Sequence, residues 1–112
     1  MTVPLNVTVH DITAARYRIK PYIKHTPLQE LAPNLYLKCE HKQHLKSFKP
    51  RGACNAMLRL PKTARDKGVI ARSSVNFAQG LSYIGKELGV KVTIVMPEHA
   101  PKSKVNSTQS LG

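Results

Sequence analysis

The chain has 112 residues, 41% hydrophobic and 21% charged, which is enough for one domain with a real core and too short for two. Eighteen Lys and Arg against six Asp and Glu leave a net charge of +12, which predicts attraction to anions such as nucleic acid, phosphates or acidic membrane surfaces without choosing among them. Two cysteines, Cys39 and Cys54, exclude a disulfide scaffold and a C-x-x-C redox site and make a reducing, cytoplasmic setting the expectation.

Residues 1–13 carry no basic segment followed by an apolar one, so no signal peptide is expected. Asp11 is placed to cap a first helix with Ile12, Ala15 and Ile19 on one face, and Pro21 helps to end it. Residues 35–40 partly alternate apolar and polar side chains and read as a strand, followed by a basic loop over 41–50. Ala53, Ala56, Met57 and Leu60 then fall at helical spacing over 52–60, and Pro61 closes that helix.

Residues 68–73 read as a short buried strand. A Ser-Ser-Val-Asn turn leads into a helix with Phe77, Leu81, Ile84 and Leu88 on one side and Gly89 at its C-terminal end. Residues 90–96 form the third strand; interrupted by Lys91, they are far shorter than the ~18 apolar residues of a membrane span. A last helix is expected over 103–111, with Val105, Thr108 and Leu111 inward. This alternation predicts an α/β fold: a small, mostly parallel sheet of three to four strands with flanking helices.

The chemistry concentrates in Ser47-Phe48-Lys49-Pro50-Arg51-Gly52-Ala53, a loop entering a helix. Unpaired backbone N–H groups at such a start favour a negatively charged partner. Burial and the nearby charges of Lys46 and Arg51 would lower the pKa of Lys49, freeing its amine to attack an aldehyde, while Phe48 covers one face of a flat ring. On composition alone, the same lysine is a solvated surface charge.

This segment resembles the S-F-K-x-R-G-A signature of the pyridoxal-phosphate (PLP) dependent serine/threonine dehydratases and serine racemases. Thr26-Pro27-Leu28 and Leu35-Tyr36-Leu37-Lys38-Cys39-Glu40 are similar to the family upstream. Downstream, Ser73-Ser74-Val75-Asn76-Phe77-Ala78-Gln79-Gly80 resembles its S-S-G-N-H-A-Q-G loop, and Ile94-Val95-Met96-Pro97-Glu98 and Ala100-Pro101-Lys102 follow in order. The resemblance runs from about residue 9 to 112. It implies that Lys49 carries the cofactor through a Schiff base and acts as a base at the substrate α-carbon. It also implies that Ser74 serves the other proton transfer in racemases and that Asn76 bonds the cofactor ring hydroxyl beside Phe48. Ser73, Ser74, Asn76 and Gln79 are the implied substrate-binding set. Val75 stands where the family has glycine, Phe77 where it has histidine, and Leu45-Lys46 where it often has small residues.

Complete members of that family are several times longer, with two α/β domains of tryptophan-synthase-β-like fold and PLP between them. The expectation is therefore one truncated unit over 1–112, the N-terminal part of the large domain plus the start of the small one, inactive by itself. With six glycines and no glycine-rich run, the chain offers no phosphate cradle of its own. Uncovered faces favour self-association or pairing with a full-length relative.

Two other constellations compete. Cys39, His41 and His44 have metal-ligand spacing, but Lys38, Lys42 and Lys46 surround them and repel a cation, so no metal is expected. The basic run Lys38, Lys42, Lys46, Lys49 and Arg51, with Tyr36 and Phe48 for stacking, suits a polyanion; without a known nucleic-acid motif, only salt-sensitive, non-specific association follows.

Overall fold

Thr8 stands three residues before Asp11, and this spacing decides where the first helix begins. In the computed structural model, which describes residues 6–73 and 75–112, the Asp11 backbone N–H donates to Thr8 Oγ1 at 3.2 Å. The Thr8 N–H donates back to the Asp11 carboxylate at 2.9 Å. Two otherwise unpaired donors are satisfied reciprocally, so helix α1 (Val9–Ile19) is capped by Thr8, and Asp11 is its third residue rather than its cap. Of the expected inward stripe, only Ile19 is buried; Ile12 is 61% exposed. The helix meets the rest of the fold through its C-terminal end, where Ile19 joins the core and Arg18 donates to the Asn55 side chain.

Strands β1 (Leu28–Ala32) and β2 (Leu35–Lys38) pair antiparallel around Asn34, whose φ of 63° suits a side chain that tolerates the left-handed region. β1 was not expected, because Gln29 and Glu30 break the apolar alternation that marks a strand. Every residue of this hairpin is exposed. Strands β3 (Val69–Arg72) and β4 (Val92–Val95) pair parallel, with Val69 opposite Val92 and Arg72 opposite Val95. The α/β class holds, but the expected single sheet is two two-stranded sheets. A two-residue turn can only return β2 beside β1, whereas the helical crossover between β3 and β4 allows parallel pairing.

The basic loop contains two short 3₁₀ turns, Glu40–Lys42 and His44–Lys46. Helix α2 (Lys49–Arg59) begins three residues earlier than the sequence suggested. Pro50 fits its first turn, where a backbone N–H would have no helical partner. The short helix α3 (Lys62–Lys67), absent from the sequence reading, follows Pro61. Helix α4 (Asn76–Leu88) ends on Gly89 in the left-handed conformation at φ 65°, as expected. Helix α5 (Lys102–Gln109) buries Thr108 and half-buries Val105; Leu111, expected within it, lies beyond its end and is half-buried.

The core lies where α2 crosses α4: Ala53, Cys54 and Met57 from one helix meet Leu81 and Ile84 from the other, with Ile19 at the margin. The inner face of the parallel sheet, Val69, Ala71, Val92 and Ile94, packs onto this cluster. Its outer face stays open, with Ile70 72% and Val95 49% exposed. The radius of gyration of 15.7 Å exceeds the ~13 Å of a compact chain of this length, consistent with an exposed hairpin and an open sheet face. Among the described residues, no helix is long and apolar enough to cross a membrane.

Candidate functional site

Lys49 is the first residue of α2. Phe48 caps the helix through its backbone alone, and the Lys49 backbone N–H donates to Ser47 Oγ at 3.3 Å. The Lys49 side chain is exposed, and its Nζ lies 4.9 Å from the centroid of the Phe48 ring. The expected ring-covering residue therefore faces the lysine ammonium itself, a cation–π contact. The approach to this helix is strained. Leu45 (φ 60°) and Lys46 (φ 54°) are consecutive non-glycine residues in the left-handed region, where the sequence had marked a departure from small residues. Lys46→Gly is expected to raise the unfolding free energy by ~0.5–1 kcal/mol, because it relieves ~1–2 kcal/mol of left-handed strain against ~0.5–1 kcal/mol of glycine entropy. Urea denaturation of the exposed-site variant checks this.

The second half of the site is the start of α4. Ser73 follows β3; its N–H donates to the Val95 carbonyl at 3.1 Å, and its Oγ accepts from the Ala78 N–H at 3.1 Å. That hydroxyl oxygen thus acts as a bridge into the first turn of the helix. Val75 takes φ −151°, so a β-branched side chain in place of glycine does not sit in the left-handed region. Asn76 opens α4 and is exposed, while Gln79 is half-buried with its N–H on the Val75 carbonyl at 3.1 Å. Phe77 turns inward and packs against the core cluster. Ser74, the expected second proton-transfer residue, lies outside the described residues.

Gly80 brings the halves together. A Cβ there would meet the Pro50 nitrogen at 3.1 Å and the Lys49 carbonyl carbon at 3.2 Å, so the α4 backbone runs directly against the Lys49–Pro50 peptide. Asn76 lies four residues before Gly80 and hence on the same face of α4. The Lys49–Pro50 backbone is in this way placed against α4 one turn beyond Asn76.

The charge pattern differs from the expectation that Arg51 acts on Lys49 as a bare neighbouring cation. Arg51 is committed to Glu40 through two bonds of 2.8 Å, Nε to Oε2 and Nη2 to Oε1. This pairing holds the Glu40 carboxyl below its ordinary range and raises the guanidinium pKa. Thr26, 1% exposed, donates its hydroxyl to Glu40 and accepts from Arg51 Nη2 at 3.2 Å. These contacts join three segments that the sequence reading linked only through family resemblance. The available signal was the isolation of Glu40, an acidic residue in a strongly basic stretch.

The Cys39, His41 and His44 grouping is not assembled as a cluster: no group of three or more His, Cys, Asp or Glu side chains fit to hold a metal gathers among the described residues. Cys39 is buried with Sγ 3.7 Å from the Leu37 carbonyl oxygen. His44 stacks on Tyr83 at 4.9 Å between centroids, and burial pushes its imidazole pKa down. A cleft of about 450 Å³ between α4, β4 and α5, lined by Ser82, Ile94, Met96 and Thr108 among others, contains none of the expected site residues.

The donor set suits one part of PLP. A primary amine at a helix start, beside an aromatic ring, fits the aldehyde and the ring. The chain has no glycine-rich run for the phosphate.

Comparison with known proteins agrees with the motif reading. The family profile described as "Pyridoxal-phosphate dependent enzyme" matches residues 18–112. Serine racemase of Dictyostelium discoideum is 45% identical over 113 aligned residues, covering 95% of this chain and 35% of its own length. The catabolic L-threonine dehydratase of Staphylococcus aureus is 42% identical over 114, covering 95% and 33%. The structure of maize serine racemase superposes with a TM-score of 0.87 at 34% identity, over 95% of this chain and 34% of that one. The chain thus spans about a third of the length of the curated relatives it matches. With almost its whole length matched by the family profile and by these relatives, this chain belongs to the pyridoxal-phosphate dependent enzyme family.

Proposed function

We propose that residues 1–112 form the N-terminal part of the large domain, with the start of the small domain, of a cytoplasmic PLP-dependent enzyme. It removes water from serine or threonine and, as water adds back, releases ammonia, or it racemises serine. The observation that carries this reading is the placement of Lys49 at the start of α2, packed against the first turns of α4 through Gly80. The bound cofactor supplies the electron sink that makes the substrate α-proton removable.

Lys49 would hold the aldehyde carbon until the substrate amine takes its place there, and the freed Lys49 amine would then take the proton at the substrate α-carbon. Ser74 carries the proton on the opposite face, an assignment that rests on the motif. Asn76 bonds the ring hydroxyl, Phe48 flanks the ring, and Ser73, Ser74, Asn76 and Gln79 receive the substrate carboxylate at the start of α4. Activity requires a phosphate cradle beyond the six glycines of this chain. The cytoplasmic setting is supported by Cys39 and Cys54, both buried free thiols; burial pushes the Cys54 pKa to about 11 and makes that thiol inert.

An absorbance titration with PLP tests the lysine, once circular dichroism has shown that wild type and Lys49→Ala are both folded. A band that saturates near stoichiometry, disappears on borohydride addition and leaves the added mass on Lys49 is expected for wild type only. Indistinguishable titrations of the two proteins overturn the assignment.

A second reading, pairing with a full-length relative, is favoured by the exposed hairpin, where Leu28, Leu31 and Leu35 are 63%, 60% and 50% exposed. Co-purification with a complete family member is its test, and failure to retain one rejects it.

A further inference from the structure

The contacts that tie the hairpin to α2 are polar, and they converge on the helical turn that carries Lys49. Arg51 lies in that turn, held by Glu40 from the end of β2 and by Thr26 from the segment before β1. Arg51 Nη2 also reaches the Lys24 carbonyl at 3.5 Å, and Lys38 Nζ donates to the Thr26 carbonyl at 2.7 Å. Gln43, 3% exposed, pairs with the Lys24 backbone in both directions: it accepts from the N–H at 3.0 Å and donates to the carbonyl at 2.8 Å. The hairpin buries none of its residues, so apolar packing of its strands does not set its place against α2.

At the start of α2 Phe48 offers no side-chain cap, and the Lys49 N–H is met by Ser47 Oγ at 3.3 Å. Besides that contact, its position depends on the close approach of Gly80 to the Lys49–Pro50 peptide and on the grip on Arg51. Two residues along an α-helix turn it by about 200°, so Arg51 and Lys49 leave α2 on nearly opposite sides. The helix is therefore held from the side away from the lysine, which leaves the amine accessible.

We infer that Thr26, Glu40 and Arg51 are positioning residues: together they fix the Lys49 amine against the start of α4, so that Lys49 rather than its neighbours reacts with PLP. This inference rests on the reading of Lys49 as the cofactor lysine and adds what makes that lysine selective. None of the three touches the reacting atoms. They act through the helix that bears Lys49.

The experiment labels the whole chain with PLP. A lysine amine condenses with the aldehyde, losing water, and borohydride delivers hydride to the resulting C=N bond to leave a stable secondary amine. Peptide mass spectrometry then measures the ratio of label on Lys49 to label on Lys46, an exposed lysine three residues before it. Wild type is expected to favour Lys49. Thr26→Val, which trades the bridging hydroxyl for a methyl, and Glu40→Gln are expected to lower the ratio by roughly tenfold, the scale on which a loosened site loses reactivity. Thr26→Ser, which keeps the hydroxyl, is expected to restore it, and circular dichroism should be unchanged throughout.

A selective wild type whose Thr26→Val variant keeps the same ratio overturns the positioning role and leaves the cofactor lysine standing. A wild type that labels Lys46 and Lys49 alike overturns both. If Glu40→Gln unfolds, Thr26→Val decides; if Thr26→Val also unfolds, the cluster is a folding device and the inference fails.

Discussion

Met57→Ala is expected to lower the unfolding free energy by about 3 kcal/mol, within the ~2–5 kcal/mol measured for truncating buried Leu, Ile and Met. Met57 is 1% exposed and sits in the α2–α4 contact among Ile19, Cys54, Leu81 and Ile84. Its truncation removes the largest of the fully buried side chains. Cys54 and Ala53 are too short to fill the space, and the helix backbones are held apart by the remaining core. Among the described residues the core cluster has six members, a small core set here against the ~5 kcal/mol lower end of domain stability. Most of that margin would be lost, so equilibrium urea denaturation should give a midpoint less than half that of wild type with an unchanged slope. A loss below ~1 kcal/mol would mean that the α2–α4 contact is not what holds the fold.

The elements that carry this core were the most legible in the sequence. Phe77, Leu81, Ile84 and Leu88 repeat with the helical period, and Gly89 marks the end, because periodic burial and a left-handed terminus both leave compositional traces. Strand β1 left none. Both faces of β1 are exposed, so selection for burial did not impose an alternating pattern, and β2 alone was visible and was assigned to the wrong sheet. Helix α1 misled in the opposite sense: Ile12 has the right spacing, but only the C-terminal end of the helix reaches the core.

The site was legible in part for a similar reason. Lys49 and the start of α4 were found through contiguous motifs, and their meeting at Gly80 could not be read, since it depends on the crossing of two helices 30 residues apart in sequence. The Thr26–Glu40–Arg51 cluster is scattered through the chain, and no spacing rule links its members. The net charge of +12 pointed to anions in general; the structure assigns one of the six acidic residues, Glu40, to neutralise the arginine nearest Lys49.

Arg51→Met should cost about 2 kcal/mol at neutral pH and change how stability responds to acid. Arg51 and Glu40 are 32% and 17% exposed, so the loss is smaller than the ~3–5 kcal/mol of a fully buried pair broken on one side. Methionine keeps most of the arginine stem, which separates the charge from its packing. In wild type, the Arg51 hydrogen bonds lower the Glu40 pKa from its ordinary 4.5. The unfolded chain therefore binds the proton first as pH falls. The stabilisation from the pair is complete above about pH 4.5 and is lost as pH drops through the lower folded value. Without the guanidinium, the depression due to Arg51 is gone and burial is opposed by the Thr26 hydroxyl and Lys38 alone, so this acid-limb contribution shrinks. Urea midpoints measured from neutral pH down to about pH 3 should converge for the two proteins as acid removes the advantage of the intact pair. A gap that stays constant over that range would mean that Arg51 acts through packing, and that Glu40 is not the carboxylate that holds it.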